Sequence, residues 1–315
     1  MVALGGGHGL YAALSALRRV TDRLTGIVTV ADDGGSSGRL RAELGVLPPG
    51  DLRMALAALC GDDEWGQTWR DVVQHRFRSG GVLHDHAVGN LLIVALWELL
   101  AERAGPTGST VEGLDWVGRL LGAHGRVLPM ASVPMDIVAE VRGADPARPR
   151  VITRVKGQVA CASTAGTVLG VDLVPADPPA CPEALAAVDD ADWVVFGPGS
   201  WFTSVLPHLK VPALARSLVR TSARRIVALN LVPQPGETDD FSPQNHLEVL
   251  QAHAPDLRVD VVLADRGVVD DAEALEKAVA ALGGRLVLAD VADPGGAPRH
   301  DPALLAQAFV QIFAQ

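Results

Sequence analysis

The sequence predicts an α/β chain: a doubly wound, mostly parallel sheet with helices on both faces and a small β-rich insertion. Three observations carry this expectation. Short β-branched runs recur with helix-patterned segments between them. Two of those runs pass directly into glycine-rich turns, "GGGHGL" at 5–10 and "GPGSWFTS" at 197–204. Between Arg126 and Pro175 helical periodicity gives way to alternation punctuated by Pro and Gly. At 315 residues the chain suits one domain, 1–315, with an insertion at about 126–175.

Taken in order, Val2–Leu4 is the first strand, and a glycine turn separates it from an apolar-periodic helix over Leu10–Val20. Ile27–Ala31 is the second strand and ends on Asp32-Asp33 before the near side-chain-free turn Gly34-Gly35-Ser36-Ser37-Gly38. "PPGDLR" supplies a capping start for a helix over Asp51–Cys60, and a long apolar helix follows over Ala87–Glu102. Within the insertion, "GADPARPR" (143–150) reads as a hairpin tip or loose loop. The strands then resume at Trp193–Phe196, Ile226–Leu231, Val259–Leu263 and Leu286–Ala289. Helices are expected at Ala213–Arg220, Pro243–His253, Asp271–Leu282 and Pro302–Ala314, the last rich in Ala and Leu at helical spacing.

Composition narrows the function. The chain is 48% hydrophobic and 4% aromatic, and its 27 basic against 37 acidic residues give a formal charge of −10. That balance repels a polyanionic duplex and leaves few aromatic platforms for single strands, so nucleic acid is not an expected partner. A phosphorylated small molecule is compatible, because backbone N–H groups bind phosphate without net positive charge. Cys60, Cys161 and Cys181 show neither CxxC nor zinc spacing, so reduced thiols are expected. "MVALGGG" has no charged segment before an apolar run, and "LLIVALWELLA" (91–101) is too short to span a bilayer. The expectation is a soluble cytoplasmic protein with no membrane span.

The candidate site lies where strands meet glycine. Gly5, Gly6, Gly7, His8, Gly9 and Leu10 place backbone N–H groups and a helix start at the sheet's C-terminal edge, an anion site by geometry. It is neither a P-loop nor the dinucleotide fingerprint, since Leu10 fills the third glycine position. Asp32 and Asp33 stand where a ribose hydroxyl would be held; the second carboxylate suits another hydroxyl or a divalent metal, or Asp33 simply closes an Asx turn ahead of Gly34 and Gly35. Gly197, Pro198, Gly199, Ser200 and Thr203 form a second anion-type turn with hydroxyls, and Asn230 with "LVPQPGET" (231–238) a third polar turn on the same edge. His84 and His86 in "HDHAVGN" read more readily as capping or hydrogen-bonding histidines than as metal ligands, and Cys161 carries no nucleophile signature.

The ordered strings "GGGHGL", "IVTVADDGGSSGRLR", "LGVLPPGDLR", "HRF", "AVGNLL", "GPGSWFTS", "QPGET" and "RHD" resemble the gluconeogenesis factor (YvcK-like) family, relatives of 2-phospho-L-lactate transferase in the CofD-like superfamily. The resemblance covers nearly the whole chain. It implies a Rossmann-like core, a nucleotide-sugar ligand such as UDP-N-acetylglucosamine, and a cytoplasmic role linking carbon metabolism to cell-wall synthesis and cell shape without established catalysis. Carried over by position, Gly5–Gly9 approach the ligand's phosphate or acceptor end, Asp32 and Asp33 form an acidic corner, and Gly197–Ser200 cradle phosphate. Asn230 lines the cleft and Arg299 of "RHD" adds a cation; Ser36, Ser37, Arg53 and Asn90 complete the expected set. His8 stands where the family commonly has Thr. By analogy with the transferases, Asp33 is the residue expected to hold magnesium if a metal binds. A second copy of the chain and a cell-wall-regulatory protein are the protein partners this reading admits. Against the UDP-sugar binder stand a magnesium-dependent transferase and, more remotely, an NAD-linked dehydrogenase.

Overall fold

The computed structural model describes residues 1–104, 109–234, 236–239 and 241–315. Strand β1 (Val2–Gly5) feeds helix α1 (Gly7–Leu17), and β2 (Thr25–Val28) feeds α2 (Gly35–Leu44) and α3 (Gly50–Ala58). Helices α4 (Glu64–Gln74), α5 (Val88–Ala104) and α6 (Ser109–Leu121) follow before β3 (Arg126–Pro129). The small antiparallel sheet comes next, with β4 (Asp136–Arg142), β5 (Ile152–Lys156), the short helix α7 (Gln158–Ala162) and β6 (Thr167–Val174). Helix α8 (Pro182–Asp189) leads to β7 (Trp193–Phe196), a tight helical turn (Trp201–Val205), α9 (Pro212–Arg220) and β8 (Arg224–Ala228). The chain ends with α10 (Pro243–His253), β9 (Val261–Asp265), α11 (Ala272–Ala281), β10 (Arg285–Ala289) and α12 (Pro302–Phe313).

Seven strands form one sheet in the order β10-β9-β8-β7-β1-β2-β3, and every pairing in it is parallel. The chain runs outward from β1 to β3, then returns to lay β7 against the other side of β1. The β1/β7 boundary is therefore the topological switch point, the place outside whose carboxyl ends open α/β sheets bind their ligands. The expected doubly wound sheet is present. β1 and β7 are buried at every position, as strands covered by helices on both faces must be. Helix α1 packs between α3 and α12, and its Leu10, Leu14 and Leu17 are in the core.

The β-rich insertion is present but narrower than 126–175. Arg126–Leu128 have the look of the insertion, yet β3 pairs in register with β2 as the edge of the main sheet, Val127 opposite Gly26. The separate sheet, β5-β4-β6, runs from Asp136 to Val174, and 143–150 is the tip of the β4–β5 hairpin. The stretch 34–38, read as an empty turn, is instead the start of α2. Gly34 is its N-cap, and a Cβ at Gly38 would collide with the Asp33 carbonyl oxygen, so the helix begins only because glycine is there. Among the described residues no helix is long and apolar enough to cross a membrane.

Candidate functional site

The first glycine turn and the loop after β7 are pressed together at the switch point. A Cβ on Gly9 would collide with the Pro198 carbonyl oxygen, so only glycine lets α1 start beside Gly199. Gly7 has a φ of +55° and open space where a side chain would point. The leading N–H groups of α1 lack intrahelical acceptors, and the helix dipole adds partial positive charge there. His8 is exposed at this turn, whereas the Leu10 side chain is buried in the core.

The acidic corner consists of Asp32 and Asp51, a residue the sequence reading treated only as part of a helix cap. Asp51, in the first turn of α3, accepts the Gly7 N–H, and its Oδ2 lies against Gly6. Burial and then the charge of Asp32 push its carboxyl up to about 7. Asp32 Oδ1 accepts the Gly34 N–H at 2.9 Å, and burial holds its carboxyl above the usual range. The Asx turn thus belongs to Asp32. Asp33 faces the insertion: its Oδ1 accepts the Val159 N–H at 2.9 Å and its Oδ2 lies against Gly157, at the start of α7. The structure therefore brings Asp32 to Asp51, and uses Asp33 to tie the start of α7 to the end of β2.

The polar residues of α2 meet the α3–α5 layer. Ser37 Oγ contacts Gly50 beside Asp32. Ser36 Oγ lies 3.0 Å from His86 Nδ1 and accepts from Asn90 Nδ2 at 3.0 Å, and buried Asn90 Oδ1 has no partner among the described residues. His84 is exposed and apart from this cluster, so the His-x-His motif does not form a joint site. Arg53 is buried, bonded through Nη1 to Gln74 Oε1, and burial followed by Arg76 lowers its guanidinium to about 10.

The second glycine turn is saturated from within. Asn230 clasps Gly199 reciprocally, accepting its N–H at 2.8 Å and donating to its carbonyl at 2.8 Å. Glu237 accepts from the Ser200 hydroxyl at 2.6 Å, the Thr203 hydroxyl at 2.9 Å and the Phe202 N–H at 3.3 Å. Trp201 N–H donates to Gln234 Oε1 at 3.2 Å. These donors, expected to cradle phosphate, are engaged by a carboxylate and two amides of the chain itself. In "QPGET", Pro235 lies outside the described residues. Arg299 is exposed and pairs with Asp293 at 2.7 Å on the turn after β10; it is His300 that is buried, near Asp265. Among the described residues no group of three or more His, Cys, Asp or Glu is arranged to hold a metal ion. Cys161 is buried and its thiol is raised by burial, which suits packing rather than attack.

Residues 1–292 match the family model described as 2-phospho-L-lactate transferase CofD. A Mycobacterium tuberculosis protein named "Putative gluconeogenesis factor" is 52% identical over 318 residues, covering 100% of this chain and 90% of the relative. The chain belongs to the CofD-like gluconeogenesis factor family. A Bacillus subtilis member named "Gluconeogenesis factor" is 34% identical over 267 residues, with 85% of this chain and 78% of that protein covered. The crystal structure of a Bacillus halodurans UPF0052 family protein superposes with a TM-score of 0.84 at 31% identity, covering 98% and 97% of the two chains. That relative shares this fold over essentially its full extent, insertion included.

Proposed function

We propose that this member of the gluconeogenesis factor family is a cytoplasmic regulatory protein that binds a nucleotide sugar, UDP-N-acetylglucosamine or a close analogue, and couples carbon status to cell-wall synthesis and cell shape. The observation that carries the reading is the convergence, at the switch point, of two helix starts and an acidic pair. The α1 turn at Gly6–Gly9 and the α2 start at Gly35–Ser37 are linked through Asp51, Gly50 and Asp32. Backbone N–H groups suit a diphosphate, and partly buried carboxylates suit the hydroxyls of ribose or sugar. The names of the relatives support the metabolic role. Titration calorimetry with UDP-N-acetylglucosamine, UDP-glucose and UDP tests the reading, and absence of heat and thermal shift with every uridine nucleotide would overturn it.

One observation favours a second reading, a magnesium-dependent transferase: Asp51 is close enough to Asp32 for the charge of Asp32 to raise its carboxyl pKa, after burial. Two carboxylates plus a ligand's phosphates make an adequate magnesium donor set, so these two residues, rather than Asp33, fit the metal the transferases use. A bound magnesium ion would neutralise phosphate charge, while Asp32 and Asp51 would fix its place and the N–H groups of α1 would orient the phosphates. Turnover of a phosphorylated substrate, seen by mass spectrometry with magnesium and lost in Asp51→Asn, would establish it; binding unchanged by chelator and without product would remove it.

A further inference from the structure

The two edges of the small sheet are finished differently. At β6 the body of the chain closes the edge: Lys210 pairs with Asp172 at 3.0 Å, and His253 Nε2 accepts the Val171 N–H at 3.4 Å. β5 forms the other edge, with β4 as its one strand neighbour among the described residues. At the two ends of that ladder the Gly143 N–H donates to the Val151 carbonyl at 3.0 Å and the Gly157 N–H to the Ile137 carbonyl at 2.8 Å. Bonded pairs in an antiparallel ladder alternate with non-bonded ones. Ile152, Arg154 and Lys156 therefore stand in non-bonded positions opposite Arg142, Glu140 and Val138, and their N–H and C=O groups point away from β4. No described strand covers that outer row.

The same stretch is exposed and basic. Val151 and Ile152 are 45% and 53% exposed. Over 142–156, Arg142, Arg148, Arg150, Arg154 and Lys156 are set against a single acidic residue, Asp145, in a chain whose formal charge is −10. Arg148 pairs with Asp145 and Lys156 with Asp136, whereas Arg142, Arg150 and Arg154 have no carboxylate within ion-pair distance among the described residues. The edge is also anchored, because Asp136 bridges Arg41 of α2 at 2.6 Å and Lys156 at 2.9 Å, and Asp33 binds the Val159 N–H just past the strand. Charged side chains on an edge deter pairing with a like edge, and two copies of β5 laid antiparallel would bring these cations against one another. A strand of opposite charge meets no such repulsion.

We propose that β5 is a docking edge that takes an extended acidic segment of a partner protein as a further strand of the small sheet. Ladder bonds would run to the backbone of Ile152, Arg154 and Lys156, and carboxylates of the segment to Arg150 and Arg154. Val151 and Ile152 give the segment apolar contact, one on each face. Docking there does not depend on what the switch point binds.

Fluorescence anisotropy on the full chain, with a labelled peptide of alternating Glu and Val and a Glu-Pro peptide of equal length and charge, tests it. The Glu-Val peptide is expected to bind saturably at low salt, and the Glu-Pro peptide at least about tenfold more weakly, because Pro lacks the ladder donor. Arg154→Glu reverses a charge on an exposed side chain, and Ile152→Pro removes an outward N–H at a place where an edge strand tolerates Pro; each is expected to weaken the Glu-Val peptide about tenfold. No binding, or binding unchanged by either variant, would overturn the docking edge. Equal binding of the two peptides would also overturn it, marking instead a surface for any polyanion, nucleic acid or anionic lipid included. Should Ile152→Pro fail to fold, the peptide pair and Arg154→Glu decide.

Discussion

Replacing Asp51 by Asn should make the protein's stability much less sensitive to pH between 5 and 8. Asp51 has a folded-state pKa of about 7 against an ordinary 3.8, because burial and Asp32 disfavour its charge. Between those two values the folded chain holds a proton that the unfolded chain has released. The unmodified protein therefore loses stability as pH rises through that window, and keeps the full contribution only below the unfolded value. Applying about 1.36 kcal/mol per pKa unit, the loss between pH 5 and pH 8 is about 2–3 kcal/mol. Asn preserves shape and still accepts the Gly7 N–H, but cannot ionise. Urea unfolding at pH 5, 6, 7 and 8 should show the stability of Asp51→Asn gaining on the unmodified protein by that amount, within the contribution that Asp32 makes to both. A constant difference between the two proteins across the series would refute the buried acidic pair.

Two other substitutions probe the frame around the pair. Gly9→Ala drives a methyl into the Pro198 carbonyl and should separate the two glycine turns, lowering stability by about 1–3 kcal/mol in urea and weakening nucleotide binding; unchanged stability would show that the turns do not depend on that contact. Glu237→Ala strips the acceptor from Ser200, Thr203 and Phe202 and should cost about 2–4 kcal/mol, with Glu237→Gln costing less; a loss under about 0.5 kcal/mol for Glu237→Ala would mean that water replaces the carboxylate at no cost.

Much of the sheet was legible because parallel strands buried on both faces are written as continuous apolar runs, such as "WVVF" in β7 and the "IVA" of β8. The strand ends were less so: β2 stops at Val28, since Thr29 to Ala31 leave the ladder while remaining buried. Helices α2, α4, α6, α7 and α8 are not among those the sequence predicts, for different reasons, α7 because it is only 5 residues long. α2, α4 and α6 each contain internal glycine, tolerated because Gly38 meets Asp33, Gly66 meets Gly61 and Gly113 meets Trp97; α8 is only 8 residues long. β3 was hidden by its four-residue length and by the alternating strands that follow. At the site, both glycine turns were readable from strand-to-glycine transitions. The partners of Asp32, Ser200 and Thr203 were not, because Asp51 and Glu237 reach them across intervals of 19, 37 and 34 residues that only the fold closes. "PPGDLR" did hold a signal: a helix-opening Asp on an edge already rich in glycine turns is a site residue as much as a cap.

The most direct test is titration of the purified chain with UDP-N-acetylglucosamine, followed by calorimetry and thermal shift. The switch-point crevice predicts saturable one-to-one binding and a raised melting temperature, both diminished in Gly9→Ala. No heat and no shift with UDP-N-acetylglucosamine, UDP-glucose or UDP would contradict it.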